Sequence, residues 1–295
     1  MSNFDFKTPV IYILLGIILI LLVLMRRMDE SNNVSKEQTL EKRIQQLESK
    51  IEDVKNIQKQ RPPKIEPETQ QKPAYKGRIA IIIDDFGYRN DYVTDGFLAL
   101  KADLTYAVIP GHEHSYFFSE KAKKAGFEVI VHMPMENTGK TYGEEQFVLK
   151  TDMDVETIQR RVINAFNQIP SAIGMNNHQG SKASADQRIM STIARVLKDK
   201  NKFFVDSRTT VETIGETTMK IFDVPTASRN VFLDNDDDEE KITVQLMKLV
   251  KKSEEKGTAI GIGHVKPKTL NVLKKHIPKL QKDGYKFEFV SKILH

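Results

Sequence analysis

From about Lys76 onward the chain alternates short apolar runs with longer amphipathic stretches. Apolar runs bounded by charged residues or glycine read as buried strands. The candidates are Arg78–Ile83, Leu104–Ile109, Phe127–Val131, Ala172–Met175, Phe203–Val205, Lys220–Phe222, Ala259–Gly263 and Lys286–Val290. Between them, apolar residues recur three and four apart, the helical spacing. Asp154 can cap a helix whose buried face is Val155, Ile158, Val162 and Phe166. Ser184 and Gln187 fit a capping box ahead of Ile189, Ile193, Val196 and Leu197. Asp236 to Glu240 put negative charge at the start of a helix carrying Ile242, Leu246, Leu249 and Val250, which Gly257 closes. Other helices end at Gly126 and Gly284. Repeated β-α alternation predicts an α/β fold with a mostly parallel sheet and helices outside it. A barrel, complete or not, is the first architecture expected; an open doubly wound sheet is the second.

The first 75 residues follow different patterns. From Pro9 to Met25 only Tyr12 and Gly16 interrupt a strongly apolar run, whose length sits at the lower limit of about 17 residues for a spanning helix. A cleaved signal peptide would carry small residues before the cut, whereas Leu24 and Met25 run straight into Arg26 and Arg27. Residues 1–30 are therefore expected to be a single-pass membrane anchor. In residues 31–60, Leu40, Ile44, Leu47, Ile51 and Val54 alternate four and three apart. That is the seam of a short coiled coil, which would join copies of the chain, or else one face of a solvated helical stalk. Residues 61–75 carry Pro62, Pro63, Pro67 and Pro73 among charged residues and Gln, an extended linker. Residues 76–295 form the globular domain.

Composition narrows the chemistry. The net charge of +5 is too small to suggest a phosphate-binding surface, so nucleic acid is not an expected partner. With no cysteine, disulfides, thiolate metal sites and thiol nucleophiles are excluded, and a transition-metal site must use His and carboxylates.

Most strand candidates run into a polar residue that a core does not need. Ile81–Ile83 leads to Asp84 and Asp85, and Val129–Val131 leads to His132. Met175 leads to Asn176, Asn177 and His178; Phe203–Val205 leads to Asp206, Ser207 and Arg208; Ile260–Gly263 leads to His264. In parallel α/β folds these C-terminal strand ends share one rim, where catalytic groups sit. Bland readings exist for each: a turn cap at the two aspartates, satisfied core histidines, and an Asp206–Arg208 ion pair bracing the rim. His112 and His114 read as loop histidines, and Asp234–Glu240 as a cap and solvated turn.

The segments IDDFGY from Ile83, AVIPG from Ala107, GFEVIVHMPME from Gly126 and GMNNHQGS from Gly174 add a further indication. So do FFVDSRTT from Phe203, RNVFLDN from Arg229 and AIGIGHVKPKT from Ala259. Together they resemble the divergent polysaccharide deacetylases, a branch of the carbohydrate-esterase deacetylases with a distorted β/α barrel. The resemblance covers essentially all of Lys76 to His295. It implies Asp84 as catalytic base, Asp85 and His132 as metal ligands, and His264 as general acid. The second metal histidine of typical members falls on Glu136, so His178 is the first candidate for that ligand and Glu136 the second. Glu136 and Asn177 are also candidates for substrate contact, and Asp206 with Arg208 for orienting the base.

The implied function is metal-dependent removal of acetyl groups from an N- or O-acetylated cell-envelope polysaccharide. Zinc is the first metal expected, with nickel, cobalt and manganese open. The alternatives are a metal hydrolase of another substrate class and a glycan- or partner-binding domain without turnover. On charge, Arg26 and Arg27 against Lys7 lean toward a cytosolic domain. The inferred substrate places the domain on the extracytoplasmic, periplasmic side of the membrane.

Overall fold

The computed structural model describes residues 42–46, 49, 75–139 and 144–294. The chain divides into two compact units, Met1–Gln71 and Lys72–His295. In the first, residues 42–46 and 49 are helical, and Ile44 is exposed. The apolar run Pro9–Met25 and the other four seam positions lie outside the described residues. Among the described residues, no helix is long and apolar enough to cross a membrane.

The second unit carries nine strands and seven helices among its described residues. Strand β1 (Gly77–Phe86) leads to α1 (Tyr92–Leu98), β2 (Thr105–Val108) to α2 (Ser115–Lys124), and β3 (Glu128–Met135) to α3 (Val155–Gln168). Then follow β4 (Gly174–Gln179), α4 (Gln187–Asp199), β5 (Phe203–Asp206), α5 (Gly215–Ile221), β6 (Thr226–Ser228) and β7 (Val231–Phe232). The domain continues through α6 (Glu239–Lys256), β8 (Thr258–His264), α7 (Pro267–Lys282) and β9 (Tyr285–Phe287). The strands pair in parallel in the order β6-β5-β4-β3-β2-β1-β8-β7, with β9 added to β1.

Period-two alternation sorts the strand residues into two cores. Ile79, Ile81 and Ile83 of β1 pack into the layer between sheet and helices, whereas Ala80 and Ile82 point to the concave side. There they meet Ala107, Ile130, Phe203, Val205, Ile260 and Ile262 from the other strands. Val290 and Ile293, from the chain's last turn, join the same inner core. Outside, helices approach the sheet closely: a Cβ on Gly261 of β8 would lie 2.6 Å from a Leu249 methyl of α6.

The sheet is strongly curled. In a flat sheet, strands two apart are separated by roughly 9.5 Å, yet side chains of β1 and β3 come within 3.6 Å of each other above the short β2. At the edges, β6 and β7 do not pair with each other among the described residues; only Arg229 and Asn230 connect them. The Arg229 N–H bonds to the Asp206 carbonyl on one edge, and the Asn230 N–H to the Ile260 carbonyl on the other. The result is a parallel, curled half-barrel of α/β type rather than a hydrogen-bonded ring.

Three local expectations change. Lys220 and Ile221 end helix α5, with Phe222 as its C-cap, so the sixth expected strand is absent there. The strands at that position in the sheet are the very short β6 and β7, whose Arg229–Asn230 link and polar flanks hide their apolar signal. The cap of α4 is Asp186, whose side chain accepts from the Ile189 N–H; Ser184 sits one short turn earlier. Lys286–Val290 is split, with Phe287 ending β9 and Val290 opening the final turn. Asp154 does cap α3, accepting from the Thr157 N–H at 2.7 Å, and Asp238 caps α6.

Ile82 is fully buried on the concave side. Ile82→Ala is expected to lower stability by about 2–5 kcal/mol, because the curled sheet cannot collapse onto the void. Urea unfolding of the full-length protein followed by circular dichroism measures this; a loss under about 1 kcal/mol would contradict a packed interior.

Candidate metal centre and active-site cleft

The alternation that builds the inner core also aims the polar residues at its upper end. Along β1, Ala80 and Ile82 are followed on the same face by Asp84; along β8, Ile260 and Ile262 by His264; along β3, Ile130 by His132. On β4, Met175 packs outward, so the alternation puts Asn176 and His178 together on the concave face. Register completes the assembly: Asp84 lies opposite His264, and His132 opposite Asn176.

Asp85 would point away from this face if β1 stayed regular. It does not, because Asp85 has φ 71° and the register with β2 shifts between Ile83 and Phe86. A left-handed backbone at a non-glycine residue costs on the order of 1–3 kcal/mol. Here it turns a second carboxylate into the same cleft as Asp84.

Three ligand-type atoms then converge. Asp85 Oδ1 lies 3.3 Å from His132 Nε2 and 3.2 Å from His178 Nδ1. The two ring nitrogens are 3.1 Å apart. Donors about 2.0–2.1 Å from one tetrahedral ion are separated by about 3.3–3.4 Å, so this triangle has nearly the edge length such an ion needs. Asp85 Oδ1 is buried and has no hydrogen-bond partner. A buried, orphaned carboxylate oxygen facing two imidazole nitrogens fits a divalent cation, and the donor set suits zinc or another transition metal.

The surrounding hydrogen bonds orient the cluster. The Asn176 amide donates to Asp84 Oδ1 at 2.8 Å, so its oxygen is left to accept from His132 Nδ1 at 2.7 Å. That holds the His132 proton on Nδ1 and turns Nε2 toward Asp85. On the opposite wall, His264 Nδ1 donates to Asp234 Oδ1 at 2.8 Å. Asp234 Oδ2 accepts from the His264 N–H and the Thr269 hydroxyl, each at 2.7 Å.

Electrostatics separate the two aspartates. Burial pushes the Asp84 carboxyl above its ordinary range, and the nearby His132 and His264 offset this only in part. Asp85 is also buried, but its contacts with His132 and His178 outweigh that cost and hold it well below the usual carboxylate range. Burial alone would lower His264; the hydrogen bond and charge of Asp234 outweigh it and raise its pKa. Asp234 moves the opposite way, below its ordinary value, as burial loses to its bonds with His264 and Thr269. Asp84, His132, His178 and His264 line a cleft of about 370 Å³, together with Arg208, Arg229 and Phe232.

The structure thus brings together Asp84, Asp85, His132, His178 and His264. It separates others. Glu136 accepts from the Thr151 N–H and hydroxyl and from Lys182 Nζ at 2.7 Å, a brace outside the His–Asp triangle. His178, not Glu136, forms the third corner of the triangle with Asp85 and His132. Asn177 lines the cleft beside the cluster, while its oxygen accepts from the Ser207 N–H and its amide donates to the Gln179 carbonyl. Asp206 has the opposite parity to Phe203 and Val205, and its carboxylate binds Thr213 Oγ1 and the Arg208 backbone N–H beside α5. Among the described residues no ion pair joins Asp206 to the Arg208 guanidinium; the contact to Asp84 comes from Asn176. Asn176, Asp234 and Arg229 were missed as site residues. For Asn176 the signal existed: it shares strand parity with His178, and Asn177 does not.

Residues 81–294 match the model of a family described as divergent polysaccharide deacetylase. The chain is 34% identical over 211 residues to the protein YibQ of Escherichia coli, a match covering 72% of this chain and 66% of that protein. It is 32% identical over 208 residues to a protein of Haemophilus influenzae, covering 70% and 74% respectively. Among solved structures, the protein ATU2773 from Agrobacterium tumefaciens superposes with a TM-score of 0.71 at 18% identity, covering 76% of this chain and 91% of that one. This last likeness is one of fold.

Asp85→Ala and His178→Ala are each expected to strip transition metal from the purified protein, and Glu136→Ala to leave metal content unchanged. Asn176→Ala is expected to weaken metal binding by about 10–100-fold through misorientation of His132. Elemental analysis alongside circular dichroism reads all four. Retained metal in folded His178→Ala with loss in Glu136→Ala would reverse the ligand assignment.

Proposed function

The chain belongs to the divergent polysaccharide deacetylase family, and from that premise we propose that it is a metal-dependent hydrolase removing acetyl groups from an N- or O-acetylated envelope saccharide. The observation that carries this reading is the Asp85–His132–His178 triangle with its orphaned Asp85 oxygen. A divalent ion held there, zinc first, supplies a Lewis acid that polarises the acyl carbonyl and makes water more acidic.

The chain's own residues supply the proton transfers on the two sides of that triangle. Asp84 Oδ1 is taken by the Asn176 amide, and Oδ2 is left to accept a proton from the attacking water. Its raised pKa makes it a stronger base than an exposed aspartate. His264, whose pKa Asp234 raises, donates in its protonated form to the departing nitrogen or oxygen. Water thus adds at the acyl carbon, the acyl–nitrogen or acyl–oxygen bond breaks, and acetate leaves with the amine or alcohol. The apolar run Pro9–Met25 would hold the domain at the cytoplasmic membrane, on the periplasmic side where envelope polysaccharide lies, and the heptad seam would join copies of the chain.

The full-length protein loaded with zinc is expected to release acetate from chitin oligomers or peptidoglycan fragments. Asp84→Asn should lower kcat/KM by at least about 100-fold. The pH profile follows from the two raised pKa values. Activity should rise as Asp84 loses its proton, at higher pH than for an exposed aspartate, and fall as His264 loses its own above the ordinary histidine value. Asp234→Asn removes the charge that raises His264, so the alkaline fall should move to lower pH by about 1 unit or more. Bound metal without acetate release from any of these saccharides would defeat the deacetylase reading.

A further inference from the structure

Two arginines at the edge of the cleft have no part in the proton chemistry. Arg229 lies in the two-residue link between β6 and β7, where the sheet edges meet, and its backbone is pinned to β5. Its Nε donates to the Ser207 carbonyl at 2.6 Å and its Nη2 to the Arg208 carbonyl at 2.9 Å. The guanidinium sits 4.8 Å from the centroid of the Phe232 ring, which in turn meets the His264 ring edge-to-face. Stacking and two carbonyls therefore fix its plane, while its remaining N–H donors have no protein partner among the described residues. Burial and the neighbouring Arg208 charge lower the Arg229 pKa, and the charges of Asp84 and Asp206 offset this only in part.

Arg208 is the second member. Its backbone takes a left-handed φ of 50°, held by the bond from its N–H to Asp206. Among the described residues its guanidinium makes no hydrogen bond or ion pair. The acids nearby have hydrogen-bond partners of their own: Glu216 with Lys220 and Ser228, Asp206 with Thr213, and one oxygen of Asp84 with Asn176. Two cations, one exposed and one half-buried, are thus held beside each other with the charges of Asp84 and Asp206 nearby but no ion pair to either guanidinium among the described residues. Such an arrangement is unfavourable until an anion bridges it, and the planar fork of arginine matches carboxylate and phosphate oxygens.

We propose that Arg208 and Arg229 form an anion-recognition site at the cleft edge, and that the saccharide this protein takes carries a carboxylate or phosphate close to its acetylated ring. The inference rests on the deacetylase reading for the identity of the rest of the ligand, but not for the anion. Both arginines line the same cleft as Asp84, His132, His178 and His264, so an anionic group bound there lies within one sugar unit of the reacting centre. Neither arginine is a metal ligand or proton carrier. They set which substrate is held and in which orientation.

Calorimetric titration of the full-length, metal-loaded protein with three small probes tests this. They are chitotriose, which is neutral; a disaccharide of N-acetylglucosamine and N-acetylmuramic acid, which carries a carboxylate; and N-acetylglucosamine 6-phosphate. At least one anionic probe is expected to bind about tenfold or more tighter than chitotriose, a preference that weakens with added salt. The anionic probe that binds tighter identifies the group recognised. Arg208→Gln should erase the preference. Arg229→Lys, which keeps the charge but loses the fork, should reduce it. Equal affinity for all three probes, or a preference that survives both substitutions in folded protein, would overturn the proposal. Inorganic phosphate separates the two readings. Phosphate binding lost in Arg208→Gln, with no saccharide bound, would keep the anion site and remove the carbohydrate reading. Chitotriose binding with acetate release but no anion preference would do the reverse.

Discussion

In a regular strand two neighbouring side chains point to opposite faces, so Asp84 and Asp85 could not serve one cleft if β1 stayed regular to its end. Asp84 continues the concave face of Ala80 and Ile82; Asp85 reaches the same cleft only through its left-handed backbone and the register shift beside it. Everything at the rim depends on that break. It puts an oxygen without hydrogen-bond partners opposite His132 and His178, and leaves Asp84 one position away in a different environment. Two carboxylates side by side in a buried site would repel each other and take up a proton. Here burial and hydrogen bonds divide them, one strongly acidic beside two imidazoles and one raised beside an amide.

The curl of the sheet is the second requirement. Six strands, β1, β2, β3, β5, β6 and β8, deliver buried apolar residues to a single concave interior, and short strands let that interior close over itself. Because β2 ends at Val108, nothing separates the Asp84 and His132 side chains, although their strands are not neighbours. The seam between β6 and β7 has a different consequence. A fully hydrogen-bonded ring would have hidden Arg229 in a strand; the two-residue link instead leaves a guanidinium braced by carbonyls at the cleft's edge.

Three titratable groups at the rim, Asp84, His132 and His264, are each hydrogen-bonded by a residue outside the Asp–His–His triangle. Asn176 connects His132 to Asp84, and Asp234 with Thr269 holds His264. These supports lie at sequence separations that no local pattern encodes: Asn176 bonds Asp84 across 92 positions and Asp234 bonds His264 across 30. Asp234 in particular sits at the head of an acidic run whose other members are exposed and cap a helix, and only its burial beside His264 distinguishes it.

The α/β alternation, the parallel sheet and five residues of the rim were readable from the chain alone. Apolar strands that terminate in Asp84, Asp85, His132, His178 and His264 report their burial through composition, and parallel strands carry their ends to one side. Strand parity with His178 already marked Asn176 rather than Asn177; what the chain could not show was whether Asp206 faces the interior, which depends on the direction in which the sheet curls. Nor could it show that Lys220–Phe222 completes a helix while β6 and β7 are strands of three and two residues, since pairing partners, not local propensity, hold such short segments extended. The third corner of the Asp–His–His triangle was decided by space as well. Glu136 is drawn away by Lys182 and Thr151, and the curl brings His178 of the next strand to within 3.1 Å of His132.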